Sequence, residues 1–86
     1  MRLISQNSEV DVPYENYSLD ISKISTNGNF AVVAFLYDRT RLILGEYSTK
    51  EKALNAMKKM QTKYVEFGSS NNYFRFPSDK GGDYYN

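Results

Sequence analysis

The sequence predicts an α+β domain: a curved antiparallel sheet of about five to six strands with one helix packed across one face. Three observations predict it. The first half is punctuated by short apolar segments of strand period, a single segment of helical period follows, and one last apolar segment comes after the helix. The expected order is therefore a β-meander, a helix and a final strand. Short connections favour meander neighbours over parallel crossovers.

Each element has its own signal. Leu3-Ile4 is a short apolar start. Val10-Asp11-Val12 alternates and meets Pro13, which stops a strand or places it on a sheet edge. Tyr17, Leu19 and Ile21 alternate with Ser18, Asp20 and Ser22, the period-2 pattern of a half-buried strand. Ser25 to Asn29 is turn material, and Asn27-Gly28 suits the positive φ angles of a tight hairpin. Phe30 to Tyr37 is apolar on both faces and reads as the central strand. Asp38-Arg39-Thr40 turns the chain. Arg41 to Tyr47 is the next strand, with a bulge expected at Gly45.

The helix has a start and a stop. Ser48-Thr49-Lys50-Glu51 reads as a capping box, with Ser48 accepting from the Glu51 N–H. Ala53, Met57, Met60 and Tyr64 recur at helical spacing, with Leu54 and Phe67 flanking the stripe. Gly68 is placed to close the helix. Tyr73 to Phe76 reads as the last strand, ended by Pro77. Residues 1–77 are expected to form one domain, and residues 78–86 a flexible tail.

Composition bounds the function. The chain has no histidine and no cysteine, while 13 of its 86 residues are aromatic and 8 of those are tyrosine. The commonest general base, the commonest metal ligand and the strongest side-chain nucleophile are thus absent. Tyrosine supplies large, fairly rigid contact area with a polar tip. The balance points to binding rather than catalysis, with no cofactor and no metal expected. The sequence contains neither a P-loop nor a dinucleotide fingerprint, and Asp79 and Asp83 are too isolated for a calcium loop. No apolar run approaches the roughly 20 residues of a membrane span, and the first residues do not read as a signal peptide. The expected setting is the cytoplasm. With 11 basic and 10 acidic residues, the net charge of +1 suits neither a DNA-coating protein nor a DNA mimic.

Four constellations carry candidate sites. In Tyr73-Phe74-Arg75-Phe76, the two phenylalanines share one strand face and Tyr73 and Arg75 the other. The polar pair suits base stacking and a phosphate, and the alternative is two core phenylalanines beneath a surface arginine. Lys50, Lys58, Lys59 and Lys63 make either a cationic helix face for nucleic acid or a solvated face. Arg39 and Arg41, two apart beside a turn, suit a phosphate or carboxylate clamp, or a charge device on an edge strand. Tyr14 and Tyr17, around the acidic Asp11 and Glu15, make either a partner-binding loop or a packed corner.

Four segments together add a family resemblance. Met1-Arg2-Leu3-Ile4-Ser5-Gln6, Asp11-Val12-Pro13-Tyr14-Glu15, Glu46 to Ala53 with Ala56-Met57, and Phe74-Arg75-Phe76-Pro77 resemble small uncharacterised proteins carried by phages and integrative elements of Firmicutes. The resemblance covers most of the chain. Two departures are Asn7-Ser8, where members often carry Asp-Gly, and the Lys80 to Asn86 end, where members tend to be acidic.

The resemblance implies accessory cargo of a mobile element. Such cargo is often an antagonist of bacterial immunity, by analogy alone. The leading expectation is a non-catalytic, anti-CRISPR-like protein that binds and inhibits a host protein through Tyr14, Tyr17, Arg39, Arg41 and Arg75. A second is a sponge for a signalling nucleotide, with Arg39, Arg41, Tyr73 and Arg75 lining a pocket between protomers of a homo-oligomer. A third is a nucleic-acid regulator using Lys50, Lys58, Lys59 and Lys63.

Overall fold

A computed structural model describes residues 1–36, 40–67 and 72–79. The described residues form an α+β arrangement of six strands and one helix. The strands are β1 (Arg2–Ile4), β2 (Asp11–Pro13), β3 (Ser18–Lys23), β4 (Phe30–Phe35), β5 (Arg41–Tyr47) and β6 (Tyr73–Arg75). The helix, α1, spans Lys50–Phe67, and a single 3₁₀ turn covers Tyr14–Asn16.

The expected single curved sheet is instead two three-stranded sheets, ordered β2-β1-β6 and β3-β4-β5. The second is the predicted meander, with β4 at its centre. The first is mixed. β1 pairs antiparallel with β2 and parallel with β6, matching Leu3 to Val12 and to Phe74. The last strand therefore joins the first rather than the end of the meander. The physical reason is burial: Leu3, Val12 and Phe74 on this sheet need cover, and they share one core with the rest of the chain.

That core lies between the inner face of the meander and α1. Val32, Ala34, Leu44 and Tyr47 face Ala53, Ala56 and Met60, while Met1, Leu3, Val12, Phe74 and Phe76 close the side. β4 is buried on both faces, as its unbroken apolar run requires. Leu19 and Ile21 of β3 pack against the same core. Pro13 sits at the end of the edge strand β2, where its missing N–H leaves no ladder partner unmatched.

The register of β4 with β5 shifts between Val32, which faces Gly45, and Val33, which faces Ile43. Leu44 is the extra residue, so the bulge expected at Gly45 lies beside it. It lets Leu44 and Tyr47 both reach the core. A Cβ on Gly45 would stand 2.9 Å from the buried Tyr47 ring, which explains the glycine. The β3–β4 hairpin is wider than a two-residue turn. Ile24 N–H donates to Asn29 O at 2.7 Å and Gly28 N–H to Ile24 O at 2.8 Å. Of Asn27 and Gly28 only the glycine has positive φ, at 75°. Ser8 takes φ 65° in the turn after β1, a left-handed conformation that favours glycine.

The helix start differs from the expected capping box. Thr49, not Ser48, caps α1: its Oγ1 accepts from Lys52 N–H at 3.2 Å. The frame moves by one residue, so Glu51 falls one position short of the reciprocal partner. Ser48 turns instead to Asp79, whose Oδ1 accepts from Ser48 N–H at 2.7 Å and from its hydroxyl at 3.1 Å. Lys52 Nζ donates to Asp79 O at 3.1 Å. Asp79, near the head of the expected tail, is thus tied to the start of the helix. The rest of the tail and Gly68 lie outside the described residues. Leu54 and Phe67, expected to flank the buried stripe, are 44% and 55% exposed. Ala56 takes the buried place instead, because the stripe drifts as 3.6 residues per turn dictates.

Two carboxylates are held below their ordinary range. The Ser48 N–H is the chief cause for Asp79, and the hydrogen bond from the Met1 ammonium, 2.8 Å away, for Glu15. A depressed folded pKa stabilises above the unfolded value of about 4 and stops doing so as pH falls through the folded value. Asp79→Asn should therefore be less stable than wild type at neutral pH. The gap should begin to narrow below about pH 4 and close as pH falls through the lower folded value, read by thermal melts of the helical circular dichroism signal.

Candidate functional site

Two of the candidate residues meet in one groove. The 3₁₀ turn places Tyr14 and, just after it, Tyr17 beside the start of β3 and the flank of α1. Tyr14, Tyr17 and Tyr64 wall a cavity of about 540 Å³ whose lining includes Met57, Met60 and Gln61. Tyr14 and Tyr64 meet edge to face, with centroids 4.8 Å apart and planes at 74°. That contact fixes both rings and offsets none of their polar tips. Tyr14 and Tyr17 are half-buried against the core, as the packed-corner reading expects.

Glu15, at the rim of this groove, accepts from the Met1 ammonium, and the Met1 side chain is itself buried. The turn is therefore anchored to β1 as well as to the helix. Tyr14 N–H donates to Met1 O at 2.9 Å and strengthens the same tie. A groove whose walls are fixed from both sides loses little entropy on binding.

The other candidates lie elsewhere. Arg41 opens β5 and stands opposite Phe35, on the meander face turned away from the helix. It borders a notch of about 450 Å³ with Asp20, Ser22 and Phe35, and its Nη2 donates to Ser22 Oγ at 3.2 Å. Arg39 lies outside the described residues. Tyr73 and Arg75 share the outer face of the first sheet, as strand alternation predicts, while Phe74 and Phe76 go to the core at centroids 5.1 Å apart. Tyr73 is 53% exposed. Arg75 Nε is buried and has no hydrogen-bond partner. Arg41 on β5 and the Tyr73–Arg75 pair on β6 thus stand on different sheets.

The lysines also divide. Lys50 and Lys58 are exposed. Lys63 turns toward the first sheet, where its Nζ donates to Tyr73 O and lies 5.1 Å from the Tyr73 ring centroid, a cation–π contact. Lys58 and Lys59 line a separate groove of about 500 Å³, with Lys52. Lys52 carried no role in the sequence reading. Its spacing of seven from Lys59 on one helix face was the available signal.

Among the described residues, no group of three or more His, Cys, Asp or Glu is placed to hold a metal, and no helix is long and apolar enough to cross a membrane. No family model matches the chain, and no curated protein or solved structure matches it.

Proposed function

We propose that this chain is a non-catalytic binding protein that occupies a surface of a bacterial host protein through the Tyr14–Tyr17–Tyr64 groove. The observation that carries the reading is the groove itself: three tyrosines and two methionines around one cavity, with Gln61 at its rim. Tyrosine anchors dominate binding hot spots, and methionine adapts to an incoming side chain. The resemblance to phage and integrative-element proteins makes the target a component of host immunity, in the manner of an anti-CRISPR. The chain then acts as an inhibitor by occupying the target's working surface.

The test uses the tagged full chain to capture partners from a Firmicutes host lysate, beside Tyr17→Ala and Gln61→Arg. A stoichiometric host protein should appear with wild type. Either substitution should weaken its capture by about 2 kcal/mol or more; Gln61→Arg, at an exposed position, should leave the thermal melt unchanged, while Tyr17→Ala also lowers it by the core packing it removes. The captured protein should lose its own activity when the chain is added back. Tyr14→Ala is a poorer probe, because it also removes the Tyr64 contact. If wild type captures nothing, or if both variants capture as well as wild type, the groove is not the binding surface.

A further inference from the structure

We propose that the free edge of β3 takes an extended segment of the partner as an added strand, with one of its side chains seated in the Tyr14–Tyr17–Tyr64 cavity. This rests on the groove reading above and names the kind of segment that fills it.

The sheet sets the edge. β3 ends the order β3-β4-β5, so it is paired on one side only. Opposed residues of an antiparallel pair alternate between bonded and non-bonded. Ile24 N–H donates to Asn29 O at 2.7 Å, which fixes the phase. Ser18, Asp20 and Ser22 therefore turn their backbone groups toward β4, and Leu19, Ile21 and Lys23 turn theirs outward. Among the described residues, no hydrogen bond reaches the outward groups of Leu19 or Lys23. The Ile21 N–H donates to Asp20 Oδ1 at 2.7 Å, which an N–H inside the ladder does not do. An unpaired edge is a template for another strand, and a charged side chain laid over it keeps unwanted strands away. Asp20 is that guard, and it occupies the middle donor of the edge.

The surface beside the edge determines what the added strand carries. Leu19 and Ile21 pack toward the core but stay half-buried. Leu19 also lines the tyrosine cavity, together with Met57 and Tyr64 from the helix. A strand laid along β3 points every second side chain to this face. Its residues opposite Leu19 and Ile21 meet apolar surface that the fold leaves half covered, and the one opposite Leu19 is placed at the cavity. Lys23 falls on the same strand face. It is exposed, and no carboxylate of the described residues pairs with it. The residue opposite Lys23 is therefore acidic by charge complementarity. The occupant is an extended segment in which one acidic and two apolar residues alternate with polar ones. A second copy of β3 does not fit this pattern. Its face that carries Lys23 offers Leu19 and Ile21 and no carboxylate, while Asp20 points to the other face.

Amide hydrogen exchange, followed residue by residue by NMR on the full chain, tests this. The probes are two synthetic peptides of about seven residues, the length of a strand, with glutamate, valine and phenylalanine alternating with threonine in either order along the chain. One of them should slow exchange at the Leu19 and Lys23 amides by about tenfold or more and leave Asp20 and Ser22, already in the ladder, unchanged. Methylating a peptide nitrogen that faces β3 should abolish binding, and methylating one that faces away should not. Asp20→Ala, at an exposed position, should strengthen binding by about threefold to tenfold, because the incoming carbonyl no longer displaces a carboxylate from the Ile21 N–H. The proposal is overturned if neither peptide slows the Leu19 and Lys23 amides at about 1 mM, or if methylation at both kinds of nitrogen has the same effect. A peptide that binds the groove and leaves these amides exchanging freely overturns strand addition and keeps the groove. Protected amides with no host protein captured from the lysate keep strand addition and overturn the choice of target.

Discussion

Phe76→Ala is expected to lower stability by about 3–5 kcal/mol, the cost of emptying an aromatic site that the core cannot refill. Phe76 is fully buried, and its ring stands at 90° to that of Phe74, which anchors β6 in the core opposite Leu3. Its backbone N–H donates to Ile4 O at 3.0 Å and so extends the β1–β6 ladder beyond the strand itself. Removing the ring loosens the last strand and the first together. For a domain of this size the melting temperature should fall by about 15–30 °C. A chain this short starts with a thin margin, so the variant should be partly unfolded at 37 °C. Tyr73→Ala, three residues earlier on the exposed face, is the control: beyond its contact with Lys63 it fills no core space, and its melt should move little. Equal losses at both positions would mean that the aromatic cluster does not divide into a core face and a surface face.

The meander was legible because its signals are local. Leu19 and Ile21 alternate, the Phe30–Phe35 run is apolar on both faces, and Gly45 interrupts β5 where the register does shift. The pairing of β1 with β6 was not legible. Three residues near one end meet three residues some 70 positions away, and nothing in either segment names the other. Both are too short to show a period, and a parallel pair has no turn to announce it. The helix was legible as a helix, but its cap was not. Ser48 and Thr49 are both good caps, and the choice between them was made by Asp79, a residue 31 positions from Ser48. The same distance limit applies to the candidate sites. Tyr14 and Tyr17 are close in sequence and share a groove, whereas Arg41 and Arg75 were grouped by residue type and lie on different sheets. The lysine groove depends on Ser78 and Pro77 folding back over α1, which no spacing in the helix encodes.

Gln6 carries the junction between the two sheets, and its replacement tests how they are joined. β5 is an edge strand, and its bulge leaves backbone groups turned away from β4. Gln6 satisfies them. Its N–H donates to Leu44 O at 2.8 Å, its Oε1 accepts from Glu46 N–H at 2.7 Å, and its Nε2 donates to Glu46 O at 3.2 Å and to Pro77 O at 2.8 Å. One side chain thus covers the free edge of the meander and ties it to the segment after β6. Gln6→Ala should cost about 2–3 kcal/mol, because it leaves a half-buried N–H and carbonyl unmatched, while Pro77 O keeps the Tyr47 hydroxyl at 2.8 Å. Gln6→Glu discriminates further. It keeps the acceptor for Glu46 N–H but sets a carboxylate oxygen against two carbonyls. Only the protonated acid can donate there, so the folded pKa of this new carboxyl rises above its unfolded value. Its stabilising donor is then present below the unfolded pKa and is lost as pH rises through the folded one. Gln6→Glu should accordingly be less stable than Gln6→Ala at neutral pH and should recover toward wild type in acid, the opposite direction from Asp79. Melts of the three proteins from pH 7 down to about 4 separate the cases. If Gln6→Glu shows no recovery on acidification, the two carbonyls are not what the amide serves, and the sheets are held together by the shared apolar core alone.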